Sequence, residues 1–401
     1  MCLKDNIIKK DKNLQQMYIR KNLSSSRKTI YNRVFRKIYK MTGLTPTELL
    51  EIAKQEQQPK IVNNEIVFKD IKDRTITDIQ YQYYQTMTDE NLKMETVKTE
   101  LSTYRAFLNE YNIQLPKNIQ IQTNKPLYEE GDLPNKKDIL QAIQSTNNKR
   151  TKALIYFMSS SGIRGVDVRN FKIKDFLKSC EYYIGEKATL EDLYNSDYEQ
   201  IVPCFYFRPQ KTEKFGNVCC TFCSNEAVNS IIDYLKSRPI KSEDEYLFAS
   251  TQTGKKIKES TFTSTFRRIN DEEFGFNNHN ERFFKSHSLR KYFINTCNQH
   301  SGDLLKVRLL AGHSLSDIDR AYNEVSIPVM RRFYVSLLPY LNLHSTEVKT
   351  VKSKEYQDLE LKLKRQQLEN ERLKEEIDDR ISRAINSVLS DYRYSIVFIK
   401  Q

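Results

Sequence analysis

Apolar residues in the first third of the chain recur every three to four positions. In "SSSRKTIYNRVFRKIYKM", Ile30, Val34, Ile38 and Met41 fall on one helical face behind a serine cap. "TPTELLEIAKQ" carries its own start signal: Thr45 as cap, Pro46 at the first helical position and Glu48 closing a capping box. "TDENLKMETVKTELSTYRAFLNEYN" predicts a longer amphipathic helix. The period is lost in "IQLPKNIQIQTNKPLYEEGDLPNK", which holds three prolines and predicts a linker. It resumes in "KKDILQAIQ", and "KRTKALIYFMSSSGIRG" predicts a buried helix ending at a turn.

Two segments then change to a shorter period. "QIVPCFYFRPQ" and "FGNVCCTFCS" flank "KTEK", and their alternation and aromatic or β-branched content predict a hairpin. Helical patterning returns and dominates to about residue 342. The tail "EYQDLELKLKRQQLENERLKEEIDDRI" lacks Gly and Pro, and Tyr356, Leu359, Leu363, Gln366, Asn370, Leu373 and Ile377 trace an a/d seam. It reads as a short self-associating coiled coil or as a single exposed helix. The expected fold class is mostly α with a small β-hairpin. The expected order is a helical domain over 1–120, a linker over 121–133, a mixed α/β domain over 134–345 and a coiled-coil-like tail over 350–390.

Length and charge sharpen this. A chain of 401 residues with 38% hydrophobic residues can build two domains and an appendage. The formal net charge of +13 suits a polyanion, most often nucleic acid, and "IRKNLSSSRKTIYNRVFRKIYK" concentrates the excess near the N-terminus. The sequence has no apolar run of about 18 residues, so a membrane span is not expected. Nor does the N-terminus have an apolar leader, so a cytoplasmic, soluble protein is expected. Seven scattered cysteines argue against a disulfide scaffold.

Four stretches hold candidate chemistry. In "SGIRGVDVRNFKIKDF", Arg164 follows a glycine turn, where its guanidinium can fork onto phosphate oxygens, and Asp167 can orient it. In "RPQKTEK", Lys211 sits at the hairpin tip, with Lys214 as an alternative. In "HSLRKYFINT", His287 and Arg290 share a face near a helix N-terminus, which favours anions. In "LAGHSLSDIDRAY", His313 follows Gly312 and Tyr322 comes nine residues later. A phenol with pKa near ~10 needs nearby cations to act as a nucleophile. Taken singly, each of these residues also reads as ordinary structure.

Taken in order, they resemble the catalytic domain of the tyrosine recombinases, or phage-type integrases, over residues 130–340. "SGIRGVDVRNFKIKDF" is similar to that family's first arginine motif, "HSLR" to its His-x-x-Arg and "LAGHSLSDIDRAY" to its Leu-Gly-His, with Tyr322 at the family's spacing. Two departures stand out: a longer segment between Arg164 and Lys211, and Ala311 inside the Leu-Gly-His element. The resemblance implies that Tyr322 attacks a DNA phosphodiester to form a 3′-phosphotyrosyl link. It also implies that Arg164 and Arg290 bind the non-bridging oxygens, His313 donates to the phosphate, His287 acts as base or positioner and Lys211 protonates the leaving 5′-oxygen. No cofactor, ATP or metal is implied. The partners expected are double-stranded DNA and further copies of the chain. A DNA-binding scaffold without turnover and a type IB-like relaxing topoisomerase are the other functions the set allows. Cys204, Cys219, Cys220 and Cys223 lack a second well-spaced pair and read as strand packing, with Cys219, Thr221 and Cys223 on one face. Tyr334, the rival nucleophile, reads as packing.

Overall fold

The computed structural model describes residues 3–123, 127–213, 216–250, 254–314 and 326–344. Contacts divide the chain into two compact units, residues 1–126 and 127–401. The tail expected to form a coiled coil lies outside the described residues.

The first unit is built on helices α1 (Leu3–Lys10), α2 (Lys12–Arg20), α3 (Ser25–Thr42), α4 (Pro46–Gln57), α5 (Thr75–Asp89) and α6 (Met94–Glu110). Helix α3 runs from a Ser24 cap to a left-handed Gly43. Its core face is Tyr31, Val34, Phe35 and Ile38, while Ile30 and Met41 flank the core half-buried. The capping box of α4 forms as expected, with Glu48 accepting from the Thr45 backbone and hydroxyl. The third predicted helix starts later than its pattern suggested. Thr88 bonds back to Tyr84 instead of capping, Asn91 adopts a left-handed φ of 50°, and α6 begins only at Met94. Two elements were not expected. One is α5, which buries Ile76, Ile79, Tyr83 and Met87. The other is a hairpin of β1 (Lys60–Val62) and β2 (Glu65–Val67), turned by left-handed Asn63 and Asn64.

Part of the basic excess of this unit is neutralised internally. Glu100, 1% exposed, meets Arg33 at 2.8 Å and Lys37 at 3.3 Å, and the Tyr83 hydroxyl donates to it at 2.6 Å. Lys21 and Arg20 meet Glu110 at 2.7 and 3.5 Å.

The second unit packs α7 (Lys136–Gln144), α8 (Lys149–Ser161), α9 (Gly165–Val168), α10 (Ile173–Ile184), α11 (Leu190–Asn195), α12 (Asn225–Lys236), α13 (Glu259–Glu273), α14 (Ser286–His300), α15 (Leu304–Leu310) and α16 (Ile327–Leu341). Helix α8 is central and packs against α12 and α14. It is buried along nearly its whole length, from Ala153 to Ser161, as its unbroken apolar and small-residue run requires. The predicted hairpin is β3 (Cys204–Phe207) antiparallel to β4 (Cys219–Phe222), with Phe207 opposite Cys219. Instead of one buried face, β4 buries both: Cys219, Cys220, Thr221 and Phe222 are all covered, by α15 and α16 on one side and α8 on the other. The insertion between Arg164 and Lys211 forms the end of α10, α11 and a 3-10 turn at Tyr198–Gln200 that packs on α12. Among the described residues no helix is long and apolar enough to cross a membrane, and no group of three His, Cys, Asp or Glu residues is placed to hold a metal.

Candidate active site

Three helix ends meet where the sequence motifs come together. Helix α8 ends at Gly162, whose φ of 63° is left-handed, and Arg164 follows as the cap of α9. Helix α15 ends in a Schellman closure: Gly312 N–H donates to the Leu309 carbonyl and His313 N–H to Arg308, each at 3.0 Å. Gly312 has φ 59°, and a side chain there would come within 2.9 Å of Cys219 on β4. Both positions therefore demand glycine for conformation and for close approach. The third end is the start of α14, where Lys285 is the cap and its side chain makes no capping hydrogen bond.

The two arginines tie these ends together. Arg290, 3% exposed, donates through Nη1 to the Gly162 carbonyl and through Nη2 to the Ala311 carbonyl at 2.6 Å. Arg164 donates through Nη1 to the Gly312 carbonyl at 3.2 Å. The last carbonyls of a helix lack intrahelical partners and lie at its negative end, so guanidinium groups are natural caps for both α8 and α15. Among the described residues these three donated bonds leave most of the ten N–H groups of the two guanidiniums for another acceptor.

Electrostatics follow from this crowding of cations. Burial, then the charge of Arg164, lowers the pKa of Arg290 to about 10. Burial, then Arg290, Arg164 and Arg308, lowers that of His313 to about 4. His287 projects to the surface; partial desolvation, then Lys291, Arg290, Lys285 and Lys211, holds it below the usual imidazole value. A cluster of like charges favours neutral imidazoles, and an anion beside it would reverse that preference.

Five of the six expected site residues are among the described residues. Arg164, Arg290 and His313 are brought together, and His287 and Lys211 border them within electrostatic reach. Lys211 is exposed in the β3–β4 turn. Tyr322 and Lys214 lie outside the described residues. Tyr334 is fully buried, donates to the Ser160 carbonyl at 2.8 Å and stacks on Phe222, and its pKa is raised well above the usual phenol value by burial. It is a core residue.

Asp167 departs from expectation. Among the described residues it makes no hydrogen bond to Arg164; its Oδ1 accepts the Gln210 N–H at 2.8 Å and its buried Oδ2 has no hydrogen-bond partner. It thereby fixes the residue preceding Lys211. Asn170 extends the support, donating to the Gln210 side chain at 3.1 Å and accepting from Lys256. Asn217, on the other strand side of the turn, donates to Ser314 beside His313 at 2.8 Å. Sequence reading missed Gln210, Asn170 and Asn217. Uncharged amides in a turn carry no motif, and only their long-range bonds reveal them.

The chain matches the phage integrase family over residues 134–327, a span that holds both arginines, both histidines, Lys211 and Tyr322. This part of the chain belongs to the phage integrase family. Solved structures similar to part of the chain include XerH site-specific recombinase bound to palindromic difH substrate, at 15% identity. That likeness covers 83% of this chain and 84% of that one, with a TM-score of 0.48. The Tn1549 transposon integrase in complex with transposon right end DNA is 13% identical, over 80% and 96% of the two chains, with a TM-score of 0.47. A lambda integrase dimer bound to a COC' core site is 14% identical, over 73% and 96%, with a TM-score of 0.44. The family assignment of the integrase domain rests on the 134–327 match and on none of these likenesses. No curated protein matches the chain.

Proposed function

We propose that this chain is a site-specific recombinase that breaks and rejoins double-stranded DNA through Tyr322. The observation that carries the reading is the pair Arg164 and Arg290, fixed on the ends of α8 and α15 beside His313 in a phage integrase domain. Two rigid guanidiniums with free N–H groups suit the non-bridging oxygens of one phosphodiester and the extra charge of its transition state. The Tyr322 oxygen attacks phosphorus and its proton passes to His287. The bond from phosphorus to the 5′-oxygen breaks, and Lys211 protonates that oxygen. His313 donates a hydrogen bond to the phosphate. A 5′-hydroxyl from another strand reverses the sequence and frees the tyrosine. The phosphotyrosyl link keeps the phosphodiester's energy, so ligation needs no ATP, and the fixed cations take the part that a metal plays in many nucleases.

The first unit serves in this reading as a second DNA-binding body, and affinity should fall steeply with salt. The test is a suicide-nicked substrate taken from the DNA that flanks this gene. The protein should form an SDS-resistant adduct, and Tyr322→Phe should abolish it. An adduct of equal yield from Tyr322→Phe would overturn the assignment. Relaxation of supercoiled plasmid in EDTA separates turnover from DNA binding alone: salt-sensitive binding with no relaxation would leave a scaffold without catalysis.

A further inference from the structure

The hairpin of the first unit is solvent-exposed on both faces, which is unusual for so apolar a ribbon. Ile61, Ile66 and Phe68 share one face and are 79%, 70% and 63% exposed; Val62 and Val67 on the other face are also exposed. An isolated two-stranded hairpin is marginal in water, and an uncovered edge strand is a template for pairing.

The two edges are not equivalent. A two-residue turn closes on a hydrogen-bonded pair, here Val62 and Glu65, and the bonding alternates from there. Lys60 and Val67 form the next bonded pair, so the amide groups of Ile61, Ile66 and Phe68 point outward. On the β1 side the next outward position is Pro59, which has no N–H and closes that edge. On the β2 side neither Ile66 nor Phe68 has an outward backbone hydrogen bond among the described residues, which leaves donor and acceptor for pairing.

The β2 edge is also self-complementary. It reads Glu65-Ile66-Val67-Phe68-Lys69. Laid antiparallel on itself about Val67, it sets Glu65 opposite Lys69 twice and Ile66 opposite Phe68 twice. Ile66 and Phe68 are then the hydrogen-bonded pairs, and the two Val67 residues form a non-hydrogen-bonded pair. Lys69 already meets Glu56 at 2.5 Å within its own unit, while Glu65 has no ion pair among the described residues. A lysine ammonium has three donors and can serve both carboxylates.

We propose that β2 pairs with β2 of a second copy of this chain, antiparallel about a two-fold axis through Val67, to give a four-stranded sheet. The contact involves none of the residues assigned to DNA cleavage and requires no DNA, so it stands or falls apart from the recombinase reading.

The test uses the full chain without DNA. Across a non-hydrogen-bonded pair the Cα atoms lie about 4.5 Å apart, within disulfide range of roughly 4.4–6.8 Å. Mild oxidation of Val67→Cys should give a reducible species of twice the mass. With Cys2 replaced by serine in every variant, the parent should not, since the described cysteines are buried or half-buried, and neither should Val62→Cys, one strand further from the axis. Crosslinking of Val67→Cys no greater than that of Val62→Cys would overturn the proposal. By sedimentation, Glu65→Lys and Lys69→Glu should each weaken self-association about tenfold through two like-charge contacts, and the double variant should recover it. A double variant no better than either single, with melting temperatures unchanged, would also overturn it. So would Ile66→Asp lowering DNA affinity without changing the sedimentation mass, which would make DNA the occupant.

Discussion

Gly162→Ala tests whether the arginine cluster depends on the close approach of α8 and α14. Two costs add. The backbone of Gly162 is left-handed at φ 63°, which costs a side-chain-bearing residue roughly 1–2 kcal/mol. The new methyl would lie 2.8 Å from Cε1 and 2.9 Å from Cγ of Phe293, and closer still to Cδ1. Phe293 is fully buried on α14, so its ring cannot swing away, and overpacking of this kind costs about 1–3 kcal/mol. The sum is about 2–5 kcal/mol. At about 2–4 °C per kcal/mol for a domain of this size, the melting temperature should fall by roughly 4–20 °C.

Gly254→Ala is the matched control. Its φ is also 63°, but a methyl there meets nothing within 4 Å among the described residues, so only the backbone cost applies. A functional effect should accompany the stability effect. Phe293 lies one helical turn beyond Arg290, and displacing it moves the guanidinium that caps α8 and α15. Adduct formation, measured well below the melting transition, should fall by about a hundredfold, the scale set by misplacing a catalytic group by ~1 Å. Calorimetry or circular dichroism reads the first effect and the suicide-substrate assay the second. If Gly162→Ala melts no lower than Gly254→Ala, the close approach does not bear on stability and the reasoning fails.

Other outcomes follow from the same geometry. His313 has a folded pKa of about 4 against an unfolded value near 6.5, so protons bind preferentially to the unfolded chain. Stability should therefore be full above about pH 6.5 and decline as pH falls toward 4, by less than about 3 kcal/mol once solvent screening of this half-buried ring is allowed for; in denaturant melts wild type should lose more stability at acid pH than His313→Asn, which has no imidazole to protonate. Binding of a phosphodiester should raise the His313 pKa, so titrations at pH 6 in buffers of different ionisation enthalpy should detect proton uptake that His313→Asn loses. Lys211→Ala should slow cleavage of ordinary DNA by about 10²–10⁴-fold and leave a substrate with a 5′-bridging sulfur nearly unaffected, because a thiolate leaves without protonation; equal losses on both substrates would remove Lys211 as the acid. Asn170→Ala should show a weaker form of the same sulfur-dependent rescue, since it steadies Gln210 and not the phosphate.

How much of this was legible before the structure depends on how local each signal is. The α4 capping box, the α3 serine cap and the turn at Gly312 are set by side chains within four residues of one another, and the sequence displays them directly. Helix α5 was missed because "TITDIQYQYYQTMTD" is rich in β-branched and aromatic residues, and its N-cap, Arg74, offers no capping side chain. The β1–β2 turn uses Asn63 and Asn64 where Asn-Gly would have announced it. Burial of β4 on both faces was hidden because alternation describes a strand with one wet side, and α8, α15 and α16 leave it none.

The candidate site shows the same division between local and distant causes. Residue types and spacing mark Arg164, Arg290 and His313 as phosphate ligands, yet what holds the arginines is carbonyl oxygen from Gly162, Ala311 and Gly312, 128, 21 and 148 residues away from the donors. A backbone carbonyl has no letter in a sequence. The only trace is the glycine that frees it, by ending α8 and α15 in the left-handed conformation and letting Phe293 and Cys219 come close. The arrangement also sets the site's chemistry at rest. Arg290 neutralises helix ends that would otherwise be buried and unpaired, and the resulting positive cluster keeps His313 neutral. An anionic phosphate, as the proposed function requires, would engage the guanidinium N–H groups and remove that repulsion, so the same residues that stabilise the fold would also favour such a ligand.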